Sequence, residues 1–142
     1  MQHTKLKGYF LDDKEHERIE SLWALPIGDN YKIDNIPFFI QGISCGDIVS
    51  SKIINGELFI DSLVEASGNS TIRIVFFDIN LLNQTRETLK QLGCDSELSH
   101  LPNLISVNIP AEVNYRTLIL PYLKEGQARN NWDYEEACLA HR

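Results

Sequence analysis

Side chains able to do covalent or acid–base chemistry are few in this chain of 142 residues, and they are scattered. Cys45, Cys94 and Cys138 are an odd number of thiols with no close pair, so the spacing writes neither a disulfide framework nor a zinc knuckle. A nucleophilic thiol needs a cation or a helix N-terminus beside it to lower its pKa. Cys45 has Ser44, Gly46 and Asp47 for neighbours, and Cys94 follows Gly93 at the negative end of an expected helix. Both read as packing residues. His3, His16, His100 and His141 lack metal-ligand spacing, and His3 and His141 fall in the terminal segments. Ser67, Gly68, Asn69, Ser70 and Thr71 form a polar turn. Its hydroxyls could hold a phosphate, or activate water if a base stood nearby, but the ordinary role of such a run is to bond its own backbone. Neither a GxGxxG nor a P-loop occurs. The acids carry more. Asp95 and Glu97 follow the first expected helix, and Asp133, Glu135 and Glu136 surround Trp132 and Tyr134. Aromatics interleaved with carboxylates suit an interface that neutralises a basic protein. The same residues also suit a helix N-terminus with favourable acids and a core tryptophan. No catalytic residue, metal or cofactor is expected.

Charge and composition agree with a protein partner. The chain carries a net charge of −7, a poor match for a phosphate backbone and a better one for a basic protein. Lys and Arg do not cluster, so nucleic acid is an unlikely ligand class. Residues 1–70 hold 11 acids against 6 bases, much of the excess in Asp12, Asp13, Glu15, Glu17 and Glu20. Such a run reads as a solvated, mobile face. The N-terminus has no apolar signal core, and no run approaches the ~20 apolar residues of a membrane span. A cytoplasmic protein with no membrane contact is expected.

The elements that must position these groups follow from periodicity. Residues 1–15 have no usable period and read as a loose arm. In residues 18–26, Ile19, Ser21, Trp23 and Leu25 fall on one face and Arg18 and Glu20 on the other, a two-residue period and hence a strand. Gly28, Asp29 and Asn30 turn the chain into a second strand. Residues 35–47 are the loop around which the rest is organised, with Phe38 and Phe39 after Pro37 expected to plug the core, and Gly46 and Asp47 turning into the next strand. Asn55-Gly56 marks a type I′ hairpin. Strands then follow at residues 58–65, 71–77 and 104–109. Helices are expected after Asn80, ending at Gly93, over residues 115–125 with a conflict at Pro121, and over residues 132–139. The fold class is therefore α+β. A small curled antiparallel sheet or barrel (16–77) is fused to a small αβ, ferredoxin-like layer (71–142), the strand 71–77 serving both. Trp23, Phe38, Phe39, Ile60, Ile72 and Ile74 are expected to share one core.

Four stretches carry a resemblance: Glu20-Ser21-Leu22-Trp23-Ala24, Asp34-Asn35-Ile36-Pro37-Phe38-Phe39, Gly46-Asp47-Ile48-Val49 and Ser67-Gly68-Asn69-Ser70-Thr71-Ile72-Arg73. In this order they resemble a bacterial family known as a domain of unknown function. That family's pattern usually has His where this chain has Asn69. The departure argues against acid–base chemistry at the position and leaves a turn role intact. Some members resemble immunity proteins encoded beside secreted toxins, including those of contact-dependent inhibition. The resemblance thus implies an immunity protein that covers a cognate toxin domain, expected to be a basic nuclease, by steric and charge blocking. The expected partner surface is Asp95, Glu97, Trp132, Asp133, Tyr134, Glu135 and Glu136. Trp23, Asn35, Pro37, Phe38, Phe39, Gly46, Asp47, Ser67, Gly68, Asn69 and Ser70 are expected to be structural. The alternatives are a small RNA- or nucleotide-binding module using the barrel and the Ser67–Thr71 turn, and an enzyme of undefined chemistry.

Overall fold

In the computed structural model, which describes residues 3–141, two β layers meet through one loop. The first is a closed five-stranded barrel. Strand β1 (Thr4–Leu11) pairs with β2 (Glu17–Ile27) in antiparallel register from Thr4↔Ala24 to Leu11↔Glu17. Most of the expected loose arm is therefore a strand. Its inward positions, Leu6 and Gly8, are buried while Lys5 and Tyr9 face out, and a glycine in so short an alternation hides the period. Strands β3 (Asn30–Ile33), β4 (Ile48–Ile54) and β5 (Glu57–Glu65) continue the sheet, and a parallel contact Lys7↔Phe59 closes it. The β4–β5 hairpin turns at Asn55 (φ 51°) and Gly56 (φ 79°), the pair of positive φ angles that a type I′ turn requires.

The inward face of β2 is the opposite of the expected one. Leu22 and Ala24 are fully buried, and Trp23 is 44% exposed under Lys5, whose Nζ lies 4.7 Å from the ring centroid. A slip of one residue in phase exchanges every side chain between faces, and both phases of this segment carry apolar residues. The barrel core is Leu6, Leu22, Ala24, Ile33, Ile40, Ile43 and Val49. Loop residues Ile36, Ile40 and Ile43 are buried, whereas Phe38 and Phe39 are only half-buried. The plug is built of isoleucines, not of the phenylalanine pair.

The second layer is a four-stranded sheet ordered β7-β8-β6-β9, every neighbouring pair antiparallel. Its elements run β6 (Ser70–Phe76), α1 (Leu82–Gln91), β7 (Asp95–Leu98), β8 (Leu104–Ile109), α2 (Leu120–Ala128) and β9 (Trp132–Cys138). Strand β6 pairs only with β8 and β9, so it does not serve the barrel as expected. Asp95 and Glu97 lie on a strand rather than a loop, and residues 132–138 form a strand rather than a helix. In β9, Trp132 and Tyr134 pack on the helix side while Asp133 and Glu135 do not, a two-residue period that its cluster of acids disguised. The helices pack on the sheet face bearing Ile72, Ile74, Ile105, Val107 and Ile109, and bury Leu82, Leu89 and Leu123 against it. Each such burial contributes ~1.5–3 kcal/mol. Asp78 rather than Asn80 caps the entry to α1, accepting from the Asn80 amide at 3.1 Å, and Gly93 (φ +95°) ends it. Asn114 caps a wide helical turn over Tyr115–Ile119, its Oδ1 accepting from the Thr117 amide at 3.2 Å. Pro121 then falls in the first turn of α2, where its missing N–H is harmless. The expected single core is thus two. Ile72 and Ile74 lie under the helices, Ile60 borders the barrel core, and Trp23 belongs to neither.

Candidate functional site

The loop over residues 34–47 fastens the barrel to the free face of the sheet. Glu20 on β2 sends its carboxylate into the loop: Oε2 accepts from the Phe38 amide at 2.8 Å, and Oε1 from those of Phe39 and Ile40, each at 3.0 Å. Three successive amides pointing at one carboxylate hold the loop in a single conformation. Arg73, on β6, is the anchor on the other side. Its Nη1 donates to the Phe38 carbonyl and its Nη2 to Glu135 Oε2 at 2.7 Å. Glu135 Oε1 in turn accepts from Gln41 Nε2 at 3.0 Å, and Ser44 Oγ lies 2.7 Å from Thr71 Oγ1.

The residues expected to be structural make the following bonds across this loop. Asn35 Oδ1 accepts from the Trp23 amide at 2.6 Å. Asp47, buried, takes the Ser44 amide (2.9 Å) on Oδ2, and on Oδ1 both the amide and the hydroxyl of Ser67, each at 2.8 Å. Asn69 joins two loops, donating from Nδ2 to the Cys45 carbonyl (2.8 Å) and accepting on Oδ1 from the Ala111 amide (3.0 Å). Gly46 and Gly68 both have φ of +88°. Pro37 is buried within the loop.

One pair with the look of catalysis emerges here that spacing did not show. Ser70 Oγ lies 2.6 Å from His141 Nδ1, and His141 Nε2 lies 2.8 Å from the Pro110 carbonyl. Ser70 is fully buried and also accepts from the amides of Ala140 (2.8 Å) and His141 (3.2 Å). A serine with no exposure and a lone pair in each of two backbone bonds has no room for substrate; the pair ties the C-terminal segment to β6. The thiols are similarly unsuited. Burial is the main cause that raises the Cys45 and Cys138 pKa values and pushes Cys94 up to about 11. Among the described residues, no three His, Cys, Asp or Glu side chains converge as metal ligands.

Where the barrel leaves part of the sheet uncovered, a cleft of about 460 Å³ opens. Phe10, Leu11 and Phe39 form the barrel wall, with the Phe10 and Phe39 rings stacked at 5.0 Å. Val75, Leu104 and Tyr134 come from the sheet, and Arg73 lines the cleft with its side chain only 9% exposed. Four carboxylates line the same cleft, Asp12 and Asp13 from the β1–β2 turn and Asp133 and Glu135 from β9, of which Glu135 pairs with Arg73. Asp12 is fixed by the turn, accepting from the amides of Lys14 (2.9 Å) and His16 (2.8 Å) and from Arg18 Nε (2.9 Å). These bonds, the His16 amide foremost, lower its pKa. Burial, aided by the charges of Glu136 and Asp133, raises that of Tyr134, so its hydroxyl stays protonated. Such a lining favours a cation carrying apolar or planar surface.

Alternation on β9 and strand order divide the expected partner surface. Asp133 and Glu135 enter the cleft. Trp132 and Glu136 turn to the helices, Trp132 Nε1 donating to the Leu123 carbonyl at 3.1 Å and Glu136 accepting from Tyr115 Oη at 2.5 Å. Tyr134 packs against the helix-side core and also reaches the cleft rim. Asp95 and Glu97 lie on β7, at the other edge of the sheet, ~14 Å away at ~4.8 Å per strand. Glu97 faces the barrel junction, 3.4 Å from the Ile36 amide, and burial raises its pKa. Asp12, Asp13, Phe10, Gln41 and Arg73 are cleft residues that sequence reading missed. The one signal for them was Arg73 itself, a lone charge in the apolar run Thr71–Phe76, which implies a partner across the sheet.

Comparison with known proteins adds a family and a fold. The sequence profile of a family described as a domain of unknown function, DUF4265, matches residues 20–134. A crystal structure of a hypothetical protein from Neisseria gonorrhoeae is similar, with a TM-score of 0.84 and 29% identity over 98% of this chain and 96% of that one. No curated protein matches the chain. No helix among the described residues is long and apolar enough to cross a membrane.

Proposed function

The chain belongs to the DUF4265 family, and we propose that this member is a cytoplasmic immunity protein that binds a basic toxin domain and blocks it. The observation that carries the reading is the acidic cleft, because it joins two acidic segments far apart in sequence, Asp12 and Asp13 with Asp133 and Glu135, around an aromatic wall. Opposite charge on the partner would raise its association rate, and the apolar floor would supply contacts that slow dissociation. Binding rather than catalysis is the role proposed, since the Ser70–His141 pair is sealed and the thiols are held protonated. The finer fold reading, a ferredoxin-like second layer, is supported by the β-α-β-β-α-β element order and the strand order β7-β8-β6-β9.

Co-expression with a basic toxin domain whose gene adjoins this one tests the proposal, and the lack of any such neighbour would count against it. Cells carrying the wild-type protein should survive, and cells carrying the Asp13→Lys, Asp133→Lys double variant should not, with the variant folded by circular dichroism. Survival with both proteins, or with neither, would remove the cleft or the toxin from the account. Tight binding to RNA instead would favour the nucleic-acid module.

A further inference from the structure

The cleft's polar groups are unevenly satisfied. Both Glu135 oxygens are engaged inside the protein, and Asp12 has Arg18. Asp13 and Asp133 have no cationic partner among the described residues. Asp133 accepts from Gln127 Nε2 (2.7 Å) and from the Tyr134 amide (2.9 Å), both on Oδ1. Its other oxygen is uncommitted. The second irregularity is Arg73. A guanidinium has five donors. In Arg73, Nη1 and Nη2 each find one acceptor, and Nε finds none although its side chain is nine-tenths buried. Nε itself is sealed from solvent, so the donors left for an occupant are the second N–H groups of Nη1 and Nη2, and an occupant that completes this site brings positive charge to the rim and an acceptor to the base.

From this pairing of needs we infer that the cleft receives an arginine residue presented on a loop of the protein partner, a step that rests on the partner-binding reading above. The arginine side chain lies between Asp13 and Asp133, against the stacked Phe10 and Phe39 rings, and a main-chain carbonyl of the same loop faces Arg73. Arginine suits the walls better than lysine. Its planar guanidinium stacks on aromatic faces and presents paired donors to carboxylates, whereas an ammonium is a compact and strongly hydrated charge. The internal Arg73–Glu135 pair leaves Arg73 neutralised, so the incoming charge meets Asp13 and Asp133 rather than an uncompensated cation.

The probe is N-acetyl-arginine amide, titrated into the ¹⁵N-labelled full chain and followed by two-dimensional NMR. Shifts confined to the amides of Asp12, Asp13, Gln41 and residues 133–135 are expected. The citrulline analogue, isosteric but uncharged, should produce none. Replacing Asp13→Asn and Asp133→Asn together should weaken binding about tenfold, the scale of two partly exposed charge contacts. Equal shifts from citrulline and arginine, shifts elsewhere, or none at all overturn the inference, as does an RNA oligomer that moves these amides when the arginine probe does not. The two levels separate in the survival assay. If the probe fails while the Asp13→Lys, Asp133→Lys variant still loses protection, arginine capture falls and the partner-binding cleft stands. If that variant protects cells fully, the cleft falls as the toxin site.

Discussion

Asn69 stands between two loops, and the bonds it makes say what the position does. It donates to one loop and accepts from another, at Cys45 and Ala111. Asn69→Ala should therefore cost about 1–3 kcal/mol, measured as a shift in the urea midpoint. Asn69→His should cost less at neutral pH, because a neutral imidazole also has one donor and one acceptor, and its deficit should grow as the ring is protonated and the acceptor is lost. Gly126 makes a different kind of demand. A Cβ there would lie well inside contact with the Trp132 indole, in the helix-side core. Gly126→Ala should destabilise by about 1–3 kcal/mol, the range for overpacking, with a change in the tryptophan emission spectrum. Sequence reading took Asn69 for a turn residue from its type and neighbours, whereas it lies in the irregular connection from β5 to β6, where its side chain bridges two loops. The same reading had no means of seeing that Gly126 is closed to a side chain, because the ring that forbids one is brought there by the return of β9.

The β1–β2 hairpin is the element whose order the charge run concealed. Its tip is held by Asp12, which gathers the Lys14 and His16 amides and Arg18. Because the folded pKa of Asp12 is below its ordinary value of 3.8, this contribution is present above that value and is lost as pH falls through the folded pKa. The amides of Lys14 and His16 should lose hydrogen-exchange protection over that acid window, and Asp12→Asn should remove the pH dependence while leaving the tip loose throughout. Other elements were legible to different degrees. The first helix announced its buried face through Leu82, Thr85 and Leu89, and the Asn55-Gly56 turn was written in two residues. Strand β9 was not, since Asp133, Glu135 and Glu136 beside Trp132 satisfy a helix start as well as a strand, and only pairing with β6 decides between them. The cleft inherits that ambiguity. Its acids are recognisable one by one, but their meeting depends on a hairpin read as a mobile arm and a strand read as a helix.

At the scale of the whole molecule, barrel and sheet are separate cores held by the loop at residues 34–47, so the cleft's geometry depends on that joint. Glu20→Ala would leave the amides of Phe38, Phe39 and Ile40 without their acceptor, at a cost of about 3 kcal/mol. Because the same loop carries the Arg73 contact, the variant should also broaden the NMR signals of Gln41 and Glu135 while the helix-side core stays ordered. Such a result would tie the cleft's geometry to the joint rather than to either layer alone. The most direct test of the central claim is calorimetric titration of the proposed partner, a basic toxin domain whose gene adjoins this one, into the wild-type protein, the Asp13→Lys, Asp133→Lys variant, and Asp95→Lys on the opposite edge of the sheet; a gene with no such neighbour would itself count against the claim. Reversing the cleft charges should weaken binding by about 30-fold or more, the effect of some 2 kcal/mol at an interface, and Asp95→Lys should leave it within about twofold. The reverse ranking, with Asp95→Lys crippling and the cleft variant binding like wild type, would contradict the account.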